Sequence, residues 1–391
     1  MEKVGKYITN YIKGKTPKVL LSDEETDSLP YLSPDYLRGV SAPEFYAKQD
    51  TKSIVVDDGE VIVLWDGSNA GEILISKKGV LASTMTMLQF DEKQIDKAYF
   101  GYSFQNLEYI LKAKTAGSGI PHADKGVINK LEFYKPTLSE QSAIAAILSK
   151  VDEAITSVQA SISAAERLKK SLMQNLLTGR MKPDGTLRKD DEFYVDEKFG
   201  KVPKGWEVKR IDEIAERKTD VIDPTKTKEV YDYIGLEHII PNEFTRCGKG
   251  LSNETVALKV KFNKGDLLYG KLRPYLNKVF ISDISGVGST EFIVLKQNEF
   301  TNWVYLNFQL QRFLDYTKSM TAGTQHPRAS WKDIKHYLVC MPKDEQEKES
   351  IENKLLSLEQ YKISQSAKIE KLERLKKSLM QNLLTGSVRV K

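Results

Sequence analysis

Eight residues in the second half of the chain carry the densest mixture of groups that can bind a charged polymer. The segment reads Lys-Leu-Arg-Pro-Tyr-Leu-Asn-Lys and directly follows a β-rich run. Arginine and lysine neutralise phosphates or pair with guanine, and asparagine can read the edge of adenine. The candidate nucleic-acid-binding residues here are Lys271, Arg273, Tyr275, Asn277 and Lys278. A solvated turn is the alternative interpretation of this segment.

Other loops rich in hydrogen-bonding groups extend this set. In the second half the further candidates are Thr290, Thr324, Gln325, His326, Arg328 and Ser330. In the first half the candidates at similar positions are Trp65, Ser68, Asn69, Ser83, Thr84, Ser118 and His122. A structural turn is the alternative for the loops, and a core position is the alternative for the tryptophan.

Catalytic chemistry has no comparable set of residues. The sequence contains no G-x-x-x-x-G-K-[ST] segment and no Gly-rich loop inside a βαβ unit, so sites for ATP, dinucleotides or adenosylmethionine have no visible place. Ser33–Tyr36 lacks the second proline of the amino-methyltransferase tetrapeptide. Pro183 and Asp184 could form a nuclease pattern with Asp196–Lys198 only within a polar segment that we expect to lack strands. We therefore expect no catalytic residues, no metal site and no cofactor.

The composition fits a protein of two ordinary domains. The chain has 391 residues, of which 40% are hydrophobic and 29% charged, and a net charge of +5. No apolar run approaches the roughly 20 residues of a membrane span, and the first residues do not resemble a secretory signal. Cys247 and Cys340 are far apart, which argues against a disulfide framework. These features predict a cytoplasmic protein without membrane contact.

The elements that position the candidate loops are duplicated. Fourteen residues from Glu166 to Gly179 recur without a change from Glu373 to Gly386, at an offset of 207. Such identity indicates an internal duplication. The chain should therefore consist of two similar halves.

The globular parts repeat only at short anchors. Asp58–Ile62 corresponds to Lys264–Leu268 at an offset of 206. Between such anchors the halves diverge, and Trp65–Gly71 stands where the second half has Lys271–Asn277. Tyr31–Leu37 and Tyr233–Ile239 match at a slightly different offset, and the Thr-Ala-Gly segments at Thr115–Ser118 and Thr321–Thr324 match at 206. One scaffold thus carries two different sets of binding residues.

Each half ends in a predicted helix of some 40 residues. From Ser139 to about Leu177, apolar residues recur at heptad spacing, and a similar stripe follows in the second copy. The first stripe consists of Ile144, Leu148, Val151, Ile155, Val158, Ile162 and Ala165. Because so narrow a stripe is not stable alone in water, each helix needs a partner, and the matching stripes favour packing of the two helices on each other. A pseudo-twofold relation between the halves would make the two helices antiparallel. The alternative is that each helix packs separately on its own domain.

The expected fold class is α+β, with two mixed α/β domains, an antiparallel intramolecular coiled coil and a pseudo-twofold relation between the halves. The expected boundaries are a first domain at 1–135, a first helical region at 136–180, a linker at 181–199, a second domain at 200–342 and a second helical region at 343–391.

Along almost its whole length the chain resembles the DNA-specificity subunits of Type I restriction–modification systems. The resemblance rests on two variable domains alternating with near-identical helical regions, and on local motifs. The motifs in the second half are Pro203–Val208, Gly265–Leu268 followed by Lys271–Tyr275, Ala322–Thr324 through Ser330-Trp331, Pro342 and Glu345-Gln346; those in the first are Ala116–His122, Pro136 and Glu140-Gln141. The first domain has no Pro-x-Gly-Trp opener, which predicts a shortened first strand.

The resemblance implies a non-catalytic subunit with two target-recognition domains. Each domain would read one half-site of a bipartite, asymmetric double-stranded DNA target, and the helices would set the spacing. The implied partners are methyltransferase subunits, expected as two copies that methylate adenine, and restriction/translocase subunits. Two other classes stay open from the residues alone. One is a methyltransferase or nuclease with unrecognised motifs, and the other is a coiled-coil adaptor without a DNA role.

Overall fold

The computed structural model describes residues 1–48, 53–115, 121–321 and 327–390. Contacts divide the chain into two units. Unit 1 contains residues 1–161 and 365–391, and unit 2 contains residues 162–364. Because the division falls inside both long helices, each unit contains one part of each helix.

Unit 1 combines short strands with three helices and a long fourth one. Its strands are β1 Glu2–Lys3, β2 Ile8–Lys13, β3 Leu20–Leu21, β4 Ser28–Leu32, β5 Tyr46–Lys48, β6 Val55–Val56, β7 Val61–Leu64, β8 Ile73–Ile75, β9 Gly79–Leu81, β10 Met85–Phe90 and β11 Glu132–Phe133. The helices that begin in this unit are α1 Pro34–Leu37, α2 Lys97–Ala113, α3 Lys125–Lys130 and α4 Leu138–Leu176.

Unit 2 repeats this plan with a few additional elements. Its strands are β12 Phe193–Asp196, β13 Gly200–Pro203, β14 Trp206–Arg210, β15 Arg217–Lys218, β16 Val221–Ile222, β17 Asp232–Ile234, β18 Gly250–Leu251, β19 Lys259–Phe262, β20 Leu267–Gly270, β21 Val279–Ile281, β22 Gly286–Ser289, β23 Phe292–Leu295 and β24 Leu338–Pro342. The helices that begin here are α5 Ile211–Ile214, α6 Thr301–Phe308, α7 Gln311–Met320, α8 Trp331–Ile334 and α9 Glu345–Leu383.

The antiparallel four-stranded sheets have the same topology in both units, and the five-stranded sheets share four strands but carry the fifth, β3 or β16, on opposite edges. Unit 1 has an antiparallel sheet β2-β10-β7-β8 and a five-stranded sheet β3-β5-β4-β9-β6 in which β4 is parallel to β9. Unit 2 has β15-β23-β20-β21 and β16-β19-β22-β17-β18, with β17 parallel to β22. Tyr31 of β4 and Tyr233 of β17 occupy equivalent strands, which confirms the match expected from the sequence.

The opening strands differ between the units as expected. In unit 1, β1 has two residues and pairs with β11. In unit 2, β14 has five residues and pairs with β24, and Trp206 lies in the core with its ring 5.9 Å from that of Trp303. The tryptophan of the Pro-x-Gly-Trp motif thus begins β14 and packs in the core of unit 2.

Apolar residues pack on both faces of each antiparallel sheet, against the helices on one face and against the five-stranded sheet on the other. Val61, Ile62 and Val63 on β7 are fully buried, as are Leu268 and Tyr269 on β20. Strands that are covered on both faces read as continuous apolar runs, which is why these segments are recognisable in the sequence.

Parts of α4 and α9 lie antiparallel in each unit, which confirms the predicted pairing. In unit 1, Asp152 of α4 pairs with Lys376 of α9 at 2.7 Å. In unit 2, Glu166 lies 2.7 Å from Lys362, and Lys169, one turn further along α4, pairs with Glu359, one turn earlier on α9. Lys362 interrupts the apolar stripe of α9, and these ion pairs account for the interruption.

The ends of the two long helices pack in equivalent ways. Leu176 and Leu177 are buried in the core of unit 2, and Leu383 and Leu384 are buried in that of unit 1. The glycines that follow, Gly179 and Gly386, have positive φ angles of 67° and 76°, as expected for residues that terminate a helix.

The polar stretch from 181 to 199 is more ordered than the expected linker. Phe193–Asp196 forms a strand that pairs with β13, so the expectation that this segment lacks strands is wrong. The guanidinium of Arg188 pairs with Glu347 and lies 5.4 Å from the ring of Trp206. These contacts with distant residues, which the sequence pattern does not reveal, hold the segment on unit 2.

Candidate DNA-recognition loops

The Lys271–Lys278 segment forms a loop between β20 and β21 and lies on the segment before α8. The backbone N–H of Arg273 donates to the carbonyl of Pro327 at 2.8 Å, and that of Ala329 donates to the carbonyl of Lys271 at 3.0 Å. We call residues 271–278 the unit 2 recognition loop. These two hydrogen bonds hold the backbone of residues 271–273 against residues 327–329 without a ligand.

Unit 1 has the same backbone arrangement after β7. The N–H of Gly67 donates to the carbonyl of Pro121 at 3.1 Å, and that of Ala123 donates to the carbonyl of Trp65 at 2.8 Å. Each of these four residues lies 206 positions before its equivalent in unit 2. We call residues 65–71 the unit 1 recognition loop.

A pair of isolated bridges completes the match. Asp66 bridges His122 in unit 1, and Leu272 bridges Arg328 in unit 2. The loops also share left-handed backbone, with φ of 116° at Gly67 and 52° at Arg273. The two units therefore place different side chains on one backbone frame.

The unit 2 frame gathers positive charge. Burial lowers the pKa of Lys271, and the nearby Arg217 and Arg328 lower it further, whereas Glu291 raises it. Glu291 also accepts from the Nε of Arg328 at 3.1 Å. The Arg328 side chain stays 55% exposed. One carboxylate thus stands among several cations, which leaves a positive surface able to attract phosphate.

Two side chains of the unit 2 recognition loop are exposed. Arg273 is exposed at the start of the turn Pro274–Leu276, and Tyr275 is 46% exposed within it. A guanidinium can pair with the O6 and N7 of guanine, and a phenol ring can lie against a base or sugar. These two residues fit the binding role expected from the sequence.

Asn277 and Lys278 anchor the loop instead of facing outward. Asn277 is 1% exposed, has a φ of 41°, and donates from Nδ2 to the carbonyl of Phe308 at 3.1 Å. The ammonium of Lys278 donates to the carbonyl of Leu236 at 2.6 Å. We therefore leave both out of the proposed contact surface.

The remaining candidates of unit 2 are placed as follows. Thr290 is exposed next to Glu291. Ser330 caps α8, since its hydroxyl accepts from the N–H of Asp333 and donates to its carboxylate at 2.6 Å. The hydrogen bonds of Ser330 thus serve to cap the helix. Thr324, Gln325 and His326, and Ser118 of unit 1, lie outside the described residues.

The unit 1 recognition loop carries the carboxylate of Asp66 at the position that Leu272 occupies in unit 2. Asp66 lies 2.6 Å from the Nδ1 of His122 and accepts from the ammonium of Lys13 at 3.0 Å. Burial alone raises the pKa of Asp66, but the hydrogen bonds from His122 and Lys13 outweigh burial and hold it below its usual value. The carboxylate is therefore ionised at neutral pH and acts as an acceptor.

The other unit 1 candidates surround this group. Trp65 is half-buried, with its ring edge-on to that of Tyr11 at 6.1 Å, while Ser68 and Asn69 are exposed. The Ser83 hydroxyl accepts from Thr16 at 3.1 Å. Thr84 is exposed, and its carbonyl accepts from the N–H groups of Trp65 and Asp66.

Several residues near the loops carried no signal in the sequence. Lys13 and Thr16 come from β2 and the segment after it, Arg217 comes from β15, and Glu291 lies just before β23. They reach the loops through sheet pairing across long sequence distances. β2 and β15 are edge strands that pair with β10 and β23, and these in turn pair with β7 and β20, the strands that lead into the two loops.

The described part of the chain offers little that favours other classes of protein. It contains no group of three His, Cys, Asp or Glu side chains placed to hold a metal ion. None of its described helices is long and apolar enough to cross a membrane.

Comparison with known proteins identifies the family. The model of the Type I restriction modification DNA specificity domain matches residues 6–167 and again residues 203–374. The chain belongs to this family, and it carries the domain twice. Its role is therefore non-catalytic DNA recognition within a restriction–modification complex.

Similar proteins span most of the chain. The Type I restriction enzyme MjaVIII specificity subunit of Methanocaldococcus jannaschii is 29% identical, over 100% of this chain and 92% of its own length. The EcoDI specificity subunit of Escherichia coli is 26% identical, over 58% of this chain and 54% of its own. A crystal structure of the Type I S subunit from M. genitalium has a TM-score of 0.65 at 15% identity, covers 98% of this chain and 95% of its own, and shares the fold.

Proposed function

We propose that each recognition loop reads one half-site of a bipartite, asymmetric DNA target. The observation that supports this is the pair of equivalent backbone frames carrying different side chains. Arg273 and Arg328 stand in unit 2 where Gly67 and His122 stand in unit 1. Backbone contacts that repeat while side chains change are what two readers of different sequences need, because direct readout depends on side-chain donors and acceptors.

The domain assignment follows from this proposal. Residues 1–135 and 200–342 are the two target-recognition domains, 136–180 and 343–391 are the helical regions, and 181–199 connects the halves. We place the assembled protein in the cytoplasm, where the host DNA lies.

The proposed partners are two methyltransferase subunits, together with restriction/translocase subunits. The identical sequences Glu166–Gly179 and Glu373–Gly386 support two copies of one methyltransferase partner. Leu168 is 49% exposed and the equivalent Leu375 is 48% exposed, on helix surfaces of the same sequence. Two equal apolar surfaces suit two equal partners. Those partners would flip out and methylate an adenine in each half-site.

Binding assays can test the proposed target. The chain would be purified with its methyltransferase subunits, and its affinity measured for duplexes in which one half-site, the other or both are scrambled. We expect each scrambled half-site to weaken binding separately. Equal affinity for all duplexes would contradict the proposal, because it would show binding without sequence preference. Labelled adenosylmethionine added to the chain alone provides a further check, because binding there would indicate a methyltransferase.

A further inference from the structure

We propose that residues 240–246, here called the strut, position the unit 2 recognition loop on the paired helices. This inference rests on the proposed function of that loop. The strut lies between the 3₁₀ turn Leu236–His238 and β18, outside the strands of the two main sheets. The N–H of Ile240 donates to the carbonyl of Thr245 at 3.2 Å, so the segment closes on itself.

One side of the strut contacts both long helices. The carboxylate of Glu243 pairs with Lys362 of α9, which also lies 2.7 Å from Glu166 of α4. The ring of Phe244 lies 5.1 Å from the ammonium of Lys169 on α4. A cation over an aromatic face and a shared lysine between two carboxylates are attractive contacts. The strut is thus held at the point where the two helices meet.

The other side of the strut contacts the recognition loop. The N–H of Asn242 donates to the carbonyl of Leu276 at 3.2 Å. Leu276 lies between the exposed Tyr275 and the buried anchor Asn277. A displacement of the strut would therefore move the backbone that carries Tyr275 and, one turn earlier, Arg273.

A second set of contacts leads to the same place on the helices. Asn277 donates to the carbonyl of Phe308 at the end of α6. The next residue, Gln309, accepts from Lys169 at 2.6 Å and donates to Glu359 at 3.1 Å. The recognition loop is therefore connected twice to the Lys169–Glu359 pair.

The backbone of the strut is strained in a way that these contacts explain. Asn242 and Phe244 both have a φ of 58°. This left-handed region is tolerated by asparagine but is a clear outlier for a bulky aromatic residue. The hydroxyl of Tyr305, which donates to Glu359 at 3.0 Å, lies 3.5 Å from the carbonyl oxygen of Phe244. Strain of this kind persists where surrounding contacts fix the conformation, and such places are often functional.

Unit 1 has a similar helix junction. There Lys376 pairs with Asp152, which accepts from the hydroxyl of Tyr102 at 2.7 Å, much as Glu359 accepts from Tyr305. In unit 1, α1 corresponds to the 3₁₀ turn Leu236–His238, and the residue that follows it, Arg38, pairs its guanidinium with Glu72 within the domain. The contacts of Glu243 and Phe244 with the long helices thus belong to the second recognition domain.

The test compares Phe244→Gly and Glu243→Gln with the wild-type chain in complex with its methyltransferase subunits. Glycine accepts the φ of residue 244 while removing the ring, and glutamine removes the charge of residue 243 without leaving a cavity. Methylation would be measured on duplexes with the natural gap between the half-sites and with gaps one base pair shorter or longer. We expect the preference for the natural gap to fall on the order of tenfold for Phe244→Gly, equivalent to about 1.4 kcal/mol, and by a smaller factor for Glu243→Gln.

Val256→Ala is the matched control, because Val256 lies in the same domain and is 82% exposed. Its gap preference should equal that of the wild type. If both strut variants lose stability or total activity but keep the wild-type gap preference, the strut is only structural and the inference fails. A wild-type complex that ignores one half-site would instead refute the proposed function, so the two failures are distinguishable.

Discussion

Arg273 and Arg328 in unit 2 and Asp66 in unit 1 are the charged side chains that most clearly distinguish the two recognition loops. A guanidinium donates to the acceptors of guanine, whereas a carboxylate accepts from the amino group of cytosine. A carboxylate also repels phosphate, so Asp66 is better suited to a base edge than to the DNA backbone. We therefore expect the two half-sites to differ in base content.

The first prediction concerns Arg273. Arg273→Gly keeps the left-handed backbone and introduces the residue that unit 1 carries at the equivalent position. If Arg273 reads a base, the substitution should cost roughly 1–3 kcal/mol and relax the choice at one position. If it contacts phosphate, all sequences should bind more weakly and the salt slope should fall by about one.

The measurement is binding of the assembled complex to cognate and single-mismatch duplexes across a range of salt concentrations. Ser68→Gly, in the unit 1 recognition loop, is the matched control. It should leave recognition of the half-site read by unit 2 unchanged. Unaltered affinity, discrimination and salt slope for Arg273→Gly would mean that this loop does not face DNA.

The second prediction concerns a buried acid in α9. Glu352 is 6% exposed, and burial raises its pKa to about 7, although Lys348 lowers it. In the unfolded chain the carboxyl group ionises near its ordinary pKa of 4.5. Between these values the folded state binds the additional proton, so stability falls as the pH rises from about 4.5 to about 7.

Glu352→Gln removes this dependence. The variant should match the wild type in stability near pH 5 and exceed it by about 1–3 kcal/mol at pH 8. Denaturant unfolding monitored at both pH values measures the difference. A constant difference at the two pH values would show that Glu352 is ionised throughout.

At the residue scale the sequence predicts exposed charge better than it predicts contacts. Arg273, Tyr275 and Arg328 were selected for their chemistry and are exposed. Asn277 has equally suitable chemistry, but it is buried because its amide reaches Phe308, 31 residues away. The sequence pattern contains no record of that contact, or of Glu291 beside Arg328.

At the scale of elements, the long helices were predictable because their signal is local. The apolar repeat indicated the helix at 138–176, and the repeated sequence indicated its partner at 345–383. The strand in 193–196 was missed because it is short, lies within a polar segment and is paired only with β13. Its stability depends on the hairpin and not on an apolar pattern.

The third prediction concerns the C-terminal ends of the two long helices, each of which is buried in the core of a different unit. Leu384, near the end of the chain, is buried in the core of unit 1, whereas Leu177 is buried in that of unit 2. Leu384→Ala should therefore destabilise the first recognition domain, and Leu177→Ala the second, each by about 2–5 kcal/mol.

Hydrogen exchange of peptides covering β7 and β20 distinguishes these outcomes, because each strand lies in one unit. The two variants are matched controls, since both change the same residue in identical local sequence. Faster exchange of β20 in Leu384→Ala, with β7 protected as in the wild type, would contradict the assignment of the helix ends.

At the scale of the whole molecule, the repeated helix surfaces predict how partners bind. Leu168→Glu and Leu375→Glu each place a charge on one of two equivalent apolar surfaces. Each single variant should retain one methyltransferase subunit, and the double variant should retain none. Native mass measurement of the complexes counts the subunits, and two retained subunits in the double variant would exclude these surfaces as the binding sites.

The duplication made the two-part organisation visible in the sequence, because fourteen identical residues cannot be missed. The division of each long helix between two units was not visible. It depends on which core accepts Leu177 and Leu384, and identical helix sequences cannot specify that. Only the surrounding domains, which diverge, make the two environments different.

The central claim is that each recognition domain reads its own half-site. It is tested most directly by replacing residues 1–135 with the first domain of another member of the family and mapping adenine methylation across the genome of a host that expresses the complex. We predict a new bipartite motif in which one half-site has changed while the other half-site and the gap are preserved. A change in both half-sites, or in neither, would contradict it.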